Sequence, residues 1–185
     1  MESMISRELY MRKIRPLMNT PVVKVFTGVR RCGKSVMMEL VRAELLKQGV
    51  AEDRTLFLNF ESGSDPRVRS AETVRAAIQE LTARAGSGRV YLFLDEVQEL
   101  PGWETMVNAL LVDTDIDIYI TGSNARMLSG ELTTYLGGRY VEIRMYPFSF
   151  AEVLALLAER GIAISRADAF RLYLVRGGFP FLYNY

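Results

Sequence analysis

The sequence predicts an α/β fold in three layers, a parallel five-stranded sheet between two layers of helices, and three observations predict it. Short β-rich runs alternate with longer segments of helical periodicity along the 185-residue chain, the pattern of consecutive βαβ units. Val90-Tyr91-Leu92-Phe93-Leu94 is a continuous apolar run ending in Asp95-Glu96, as expected of a strand covered on both faces. Gly28-Val29-Arg30-Arg31-Cys32-Gly33-Lys34-Ser35 joins the first strand to the first long helix.

Residues 1–21 carry Arg7, Arg12, Lys13 and Arg15 around Leu9, Tyr10, Ile14, Leu17 and Met18 at helical spacing, which reads as an amphipathic helix docked on the core. Asn19-Thr20-Pro21 hands over to the first strand, Val22–Thr27. Val36–Lys47 is a helix that stops near Gly49. The second strand is Arg54–Glu61. Ser70 caps a helix running to Ala85 through Val74, Ala77, Ile78 and Leu81. Val90–Glu96 is the third strand. Pro101-Gly102 breaks the chain, and Trp103 opens a helix as a packing anchor. Ile116–Thr121 is the fourth strand, followed by Gly122-Ser123-Asn124 and a helix over 125–136. Arg139–Met145 alternates polar and apolar residues, as in a strand near the sheet edge. Helices over 151–160 and 167–176 close the chain. The expected division is a core over 1–148 and a C-terminal helical segment over 149–185. The aromatic end Phe181–Tyr185 suggests a fragment whose following domain is missing.

Composition narrows the function classes. Lys and Arg number 23 against 22 Asp and Glu, a formal charge of +1, so no basic excess predicts DNA binding. One cysteine excludes an internal disulfide and suits a reducing compartment. With no histidine and one cysteine, a transition-metal site is not expected. No secretory signal appears, and no apolar run approaches the roughly 18 residues that cross a membrane. We expect a soluble, cytoplasmic protein.

The glycine-rich stretch fits G-x-x-x-x-G-K-[ST], the P-loop, in the strand–loop–helix context that motif requires. Gly28 and Gly33 let the backbone approach a phosphate closely. Main-chain N–H groups of about residues 30–35 would face an anion at a helix start. The expected cofactor-binding set is Gly28, Val29, Arg30, Arg31, Cys32, Gly33, Lys34, Ser35 and Val36, with Ser123. Lys34 would lie between the β- and γ-phosphates, and the Ser35 hydroxyl suits Mg2+. Asp95 would hold the same ion, and Glu96 would polarise an attacking water, the Walker B arrangement. Cys32 reads as a small filler, although Arg30, Arg31 and Lys34 nearby would favour its thiolate and make alkylation block nucleotide binding.

GVRRCGKS, YLFLDEVQELPGWE, YITGSNARML, GGRYVEIRMYPFSFAEVL and VRGGFP, in this order, resemble the prokaryotic AAA-type ATPases of the AAA_14 group that carry a DUF4143-type C-terminal domain. The resemblance runs from about Tyr10 to Pro180. It implies a P-loop NTPase of the ASCE class with sheet order 5-1-4-3-2 and ATP with Mg2+ as cofactors. It implies Glu96 as the catalytic acid, with Ser123 or Asn124 as the sensor beside Lys34. Asn59 resembles the polar residue that pairs with that glutamate. Arg139 resembles a charge-stabilising arginine, acting in cis or toward a neighbouring subunit of a homo-oligomer, or a purely structural one.

The function expected is magnesium-dependent ATP hydrolysis coupled to an attached C-terminal domain or partner. The alternative is a nucleotide-dependent switch with little turnover, for which fold analogy alone offers DNA as a partner. A nucleoside or small-molecule kinase fits less well, since no arginine-rich lid is visible.

Overall fold

Five strands form one sheet: β1 (Val23–Gly28), β2 (Thr55–Asn59), β3 (Val90–Asp95), β4 (Ile116–Thr121) and β5 (Tyr140–Met145). The structure is a computed structural model and describes residues 5–113, 115–122 and 136–183. The strand order is β2-β3-β4-β1-β5, and every neighbouring pair is parallel. This is the order the resemblance implied, read from the other edge. Six α-helices accompany the sheet among the described residues: α1 (Glu8–Ile14), α2 (Lys34–Lys47), α3 (Ala71–Ala85), α4 (Trp103–Asp113), α5 (Phe150–Glu159) and α6 (Arg166–Arg176). The helix expected over 125–136 lies outside the described residues except for its last position.

Burial follows strand position. The central strands β1, β3 and β4 are buried along their whole length, whereas the edge strands β2 and β5 keep exposed positions. Side chains alternate across the sheet. Leu56, Leu58, Leu92, Leu94, Ile118 and Ile120 face α3 and α4, where Trp103 is buried as an anchor. Tyr91, Phe93, Tyr119 and Phe26 face the other layer, under Tyr10, Met11 and Ile14 of α1 and Met37, Met38 and Val41 of α2. The docked N-terminal helix is therefore present, though shorter than expected. Ser70 caps α3 in a reciprocal box with Thr73.

On the α1–α2 face, aromatic rings run across the sheet in register. Phe57, Phe93 and Tyr119 stack with centroids 6.0 and 4.9 Å apart. The row ends on Lys24, whose ammonium sits 5.2 Å from the Tyr119 ring centre. Lys24 is fully buried and donates to the Asp117 carboxylate and to the Thr20 carbonyl. Asp117 also accepts the Asn19 N–H and the Tyr119 hydroxyl, at 2.8 and 2.9 Å. Burial lowers the Lys24 pKa against the pull of Asp117, and it raises that of Tyr119. The network pins the Asn19-Thr20 turn to the sheet end away from the glycine loop.

After Met145 the chain builds a third cluster. Val153, Leu156 and Leu157 of α5 pack with Ala169 of α6, Tyr183, Phe148 and the N-terminal Ile5. Ser149 caps α5 in a box with Glu152.

Candidate functional site

The site lies where β1 and β3 end, at the carboxyl edge of the parallel sheet, the position at which open α/β sheets bind ligands. β1 runs into Gly28, whose φ is +152°. A Cβ there would stand 2.4 Å from the Met145 carbonyl oxygen, so glycine is required where β1 closes on β5. Arg31 and Gly33 both take positive φ, 67° and 96°, turning the chain into α2. No side chain caps that helix, which leaves its first N–H groups available to an anion.

Lys34 is the first residue of α2 and is 4% exposed. Its ammonium lies 3.3 Å from the Glu96 carboxylate and 3.4 Å from the Gly28 carbonyl. Glu96 is in the left-handed region, φ 53°, which swings its side chain toward the loop. Such backbone strain in a non-glycine residue concentrates at functional sites. The other Glu96 oxygen accepts the Gln98 side-chain amide at 2.7 Å. The second Gln98 polar atom, Oε1, is buried with no protein partner.

Asp95 is buried at the end of β3. The Thr121 hydroxyl donates to it at 2.5 Å and accepts the Glu96 N–H at 2.8 Å. Burial raises the Asp95 pKa, while hydrogen bonds from Thr121 and Ser35 pull it down. Ser35 and Asp95 thus meet, as two hard-oxygen groups at the loop. Among the described residues no three His, Cys, Asp or Glu side chains cluster to hold a metal by themselves. Mg2+ commonly takes one or two protein oxygens and completes its shell from phosphates and water, so the pair fits that ion arriving with a nucleotide.

Several expected residues stand elsewhere. Arg139 precedes β5 and so lies at the opposite end of the sheet, about 20 Å of strand from Met145. Its guanidinium donates to Asn108 on α4. Within one chain it does not reach Lys34 or Glu96, which corrects its placement as a cis catalytic group. Asn59 ends β2 beside Asp95, but its side-chain oxygen Oδ1 accepts the Glu61 N–H at 2.9 Å. Gln98, not Asn59, is the residue paired with Glu96. Arg30 points outward to Glu61 at 2.9 Å, and Val29 and Val36 are exposed. Arg31 lies over the Phe181 ring, 5.1 Å from its centre. Cys32 is fully buried, and burial raises its thiol pKa despite Lys34 and Arg7 nearby. It is the filler, and the reactive-thiolate expectation is corrected. Ser123 and Asn124 lie outside the described residues.

Sequence reasoning missed Gln98, Thr121 and Arg7. Gln98 carried a signal, since it stands two residues beyond the acid pair. Thr121 was read only as the end of β4.

The AAA domain family matches residues 20–154. An uncharacterised protein of Haemophilus influenzae is 46% identical over 153 residues, covering 83% of this chain and 38% of its own. An uncharacterised protein of Methanocaldococcus jannaschii is 30% identical over 170 residues, covering 85% and 35%. The chain thus spans little more than a third of these relatives' length. Among solved structures, it resembles the Aeropyrum pernix Orc1 protein in complex with DNA at TM-score 0.58, over 87% of this chain and 50% of that one. It resembles a DNA replication initiation factor at TM-score 0.63, over 96% and 57%. Identity is 16% in both cases, so these two likenesses show the fold alone.

Proposed function

We propose, for a chain that belongs to the AAA-domain family of P-loop ATPases, that it binds ATP with Mg2+ and hydrolyses it. The observation that carries the reading is the Lys34–Glu96 pair, 3.3 Å apart between the glycine loop and the end of β3. A phosphate-binding lysine and an acid able to take a proton from water lie within one nucleotide's reach.

The main-chain N–H groups of the loop would cradle the phosphates, and Lys34 would leave Glu96 for the β- and γ-phosphates. Ser35 and Asp95 would hold Mg2+, which supplies charge neutralisation on the transferring phosphoryl group. Glu96, freed from Lys34 and still held by Gln98, would accept a proton as water attacks the γ-phosphorus in line with the departing ADP. Ser123 or Asn124 would complete the site from the end of β4. Arg139 has no part within one chain; a homo-oligomer that presents it to a neighbour remains part of the proposal.

The proposal extends to coupling. Residues 1–148 would form the ATPase core and 149–185 the start of a segment that relays nucleotide state to a following domain, consistent with the greater length of the relatives. A cytoplasmic location fits the single cysteine, and among the described residues no helix is long and apolar enough to cross a membrane. The alternative, a binding switch with little turnover, is the same site with Glu96 held by Lys34 rather than turned to water. ATP titration with phosphate-release kinetics, with and without Mg2+ and duplex DNA, separates the enzyme from the switch. Magnesium-dependent release supports the enzyme, tight binding without release supports the switch, and no ATP binding refutes both.

A further inference from the structure

Arg7 is a buried cation outside the nucleotide motifs. Its side chain is 1% exposed, and its backbone takes the left-handed conformation, φ 44° and ψ 50°, a strained choice for an arginine. Each of the three guanidinium nitrogens donates once. Nε donates to Glu152 Oε1 at 2.7 Å, Nη1 to the Cys32 carbonyl at 2.8 Å and Nη2 to the Tyr146 carbonyl at 2.8 Å. The Tyr10 and Phe148 rings flank it, with centres 4.6 and 5.1 Å away. One side chain therefore ties the N-terminal segment to the glycine loop, to the end of β5 and to the first turn of α5.

The Cys32 contact has a directional consequence. The Cys32 carbonyl and the Gly33 N–H belong to one planar trans peptide, so they point in opposite directions. Holding the carbonyl against Arg7 turns the Gly33 N–H away from Arg7, on the other side of the peptide. Gly33 takes φ +96°, which suits glycine, and a Cβ there would stand 3.4 Å from Nη1, in van der Waals contact with the guanidinium.

We propose that Arg7 is a positioning residue for the phosphate-binding loop and that, through Glu152, it makes the loop's geometry depend on α5. The inference rests on the reading of the loop as an ATP site. Arg7 touches no phosphate in this scheme; it orients the peptide that does. Lysine cannot replace it, because one ammonium does not reproduce a planar three-way fork.

The test compares Arg7→Lys, Glu152→Gln and a control, Leu81→Ala, which weakens the core at α3 where Leu81 is 1% exposed. ATP binding, steady-state turnover and amide exchange over α5 are measured well below each melting temperature. Arg7→Lys should raise the ATP dissociation constant and KM by about tenfold or more while kcat stays within about threefold. Glu152→Gln, which keeps the Ser149 cap, should move KM the same way by about two- to fivefold. ATP should slow exchange over α5 in the wild type and not in Arg7→Lys. Leu81→Ala should lower the melting temperature and leave ATP affinity unchanged. Wild-type ATP affinity in both Arg7→Lys and Glu152→Gln, or an equal loss in Leu81→Ala, overturns the inference. A wild type that binds no ATP removes the underlying reading of the loop and the inference with it.

Discussion

Glu96→Gln should slow ATP turnover and tighten ATP binding at the same time. In the structure the Glu96 carboxylate neutralises Lys34 at 3.3 Å, with side chains only 12% and 3% exposed. Phosphates must displace that carboxylate before Lys34 can serve them. Two unit charges at this distance in an effective dielectric of about 20 attract by about 5 kcal/mol, most of it offset by the desolvation of both groups. If about a fifth survives, roughly 1 kcal/mol of ATP affinity is withheld by the pair, and its removal should tighten binding about fivefold. Glutamine still offers Gln98 an acceptor, so the local hydrogen bond is kept. Loss of the proton acceptor should lower kcat by about 10²–10⁴-fold. Fluorescent-nucleotide titration and single-turnover phosphate release measure the two effects separately. Unchanged turnover refutes the assignment of Glu96. A tenfold weakening of ATP binding refutes the idea that the resting pair competes with phosphate.

Three further outcomes follow from the geometry. The Asp95 pKa is raised from its ordinary 3.8 by burial, so its contribution to stability is complete below that value and is lost as pH rises through the folded pKa; Asp95→Asn should therefore melt higher than the wild type at pH 7, with the gap closing near pH 3.5, and should lose magnesium dependence. Gly28→Ala should destabilise the protein by more than about 2 kcal/mol in urea melts, because the added carbon would meet the Met145 carbonyl at 2.4 Å; a neutral result would mean that β1 and β5 can separate there. Lys24→Met should cost about 3–5 kcal/mol by leaving the Asp117 carboxylate buried without its cation, and Lys24→Met with Asp117→Asn should recover much of that loss; a stable single variant would mean that Asp117 becomes protonated at little cost.

The parts of the site legible in the sequence were those whose chemistry and position are local. The glycine loop, Lys34, Ser35 and the acids closing β3 form contiguous strings, and each stands directly after a strand. Arg139 was misplaced for a related reason: it precedes its strand. In a parallel sheet, residues before a strand and residues after one lie at opposite ends. That rule was available from the sequence once β5 was called parallel to β1, and applying it would have removed Arg139 from the cis site. The filler reading of Cys32 holds; the alternative of a reactive thiolate weighed the neighbouring cations and omitted desolvation, which wins once the side chain is fully buried. Arg7 and its three acceptors, and Lys24 with Asp117, were not legible. Their partners are separated by 25 to 145 residues and by 93 residues, and no local periodicity reports which buried charge faces which.

The position of β1 inside the sheet also governs when the site can first exist during synthesis. Its neighbours, β4 and β5, come late in the chain: Lys24 meets Asp117 across 93 residues, and Thr27 meets Glu142 across 115. β2 and β3, made in between, can pair without it. At roughly 5–20 residues per second on the ribosome, the glycine loop is translated many seconds before its flanking strands emerge. Until then its strand has two open edges and no scaffold, and a nascent chain cannot use nucleotide to stabilise itself. Ligand binding can reward only the completed sheet.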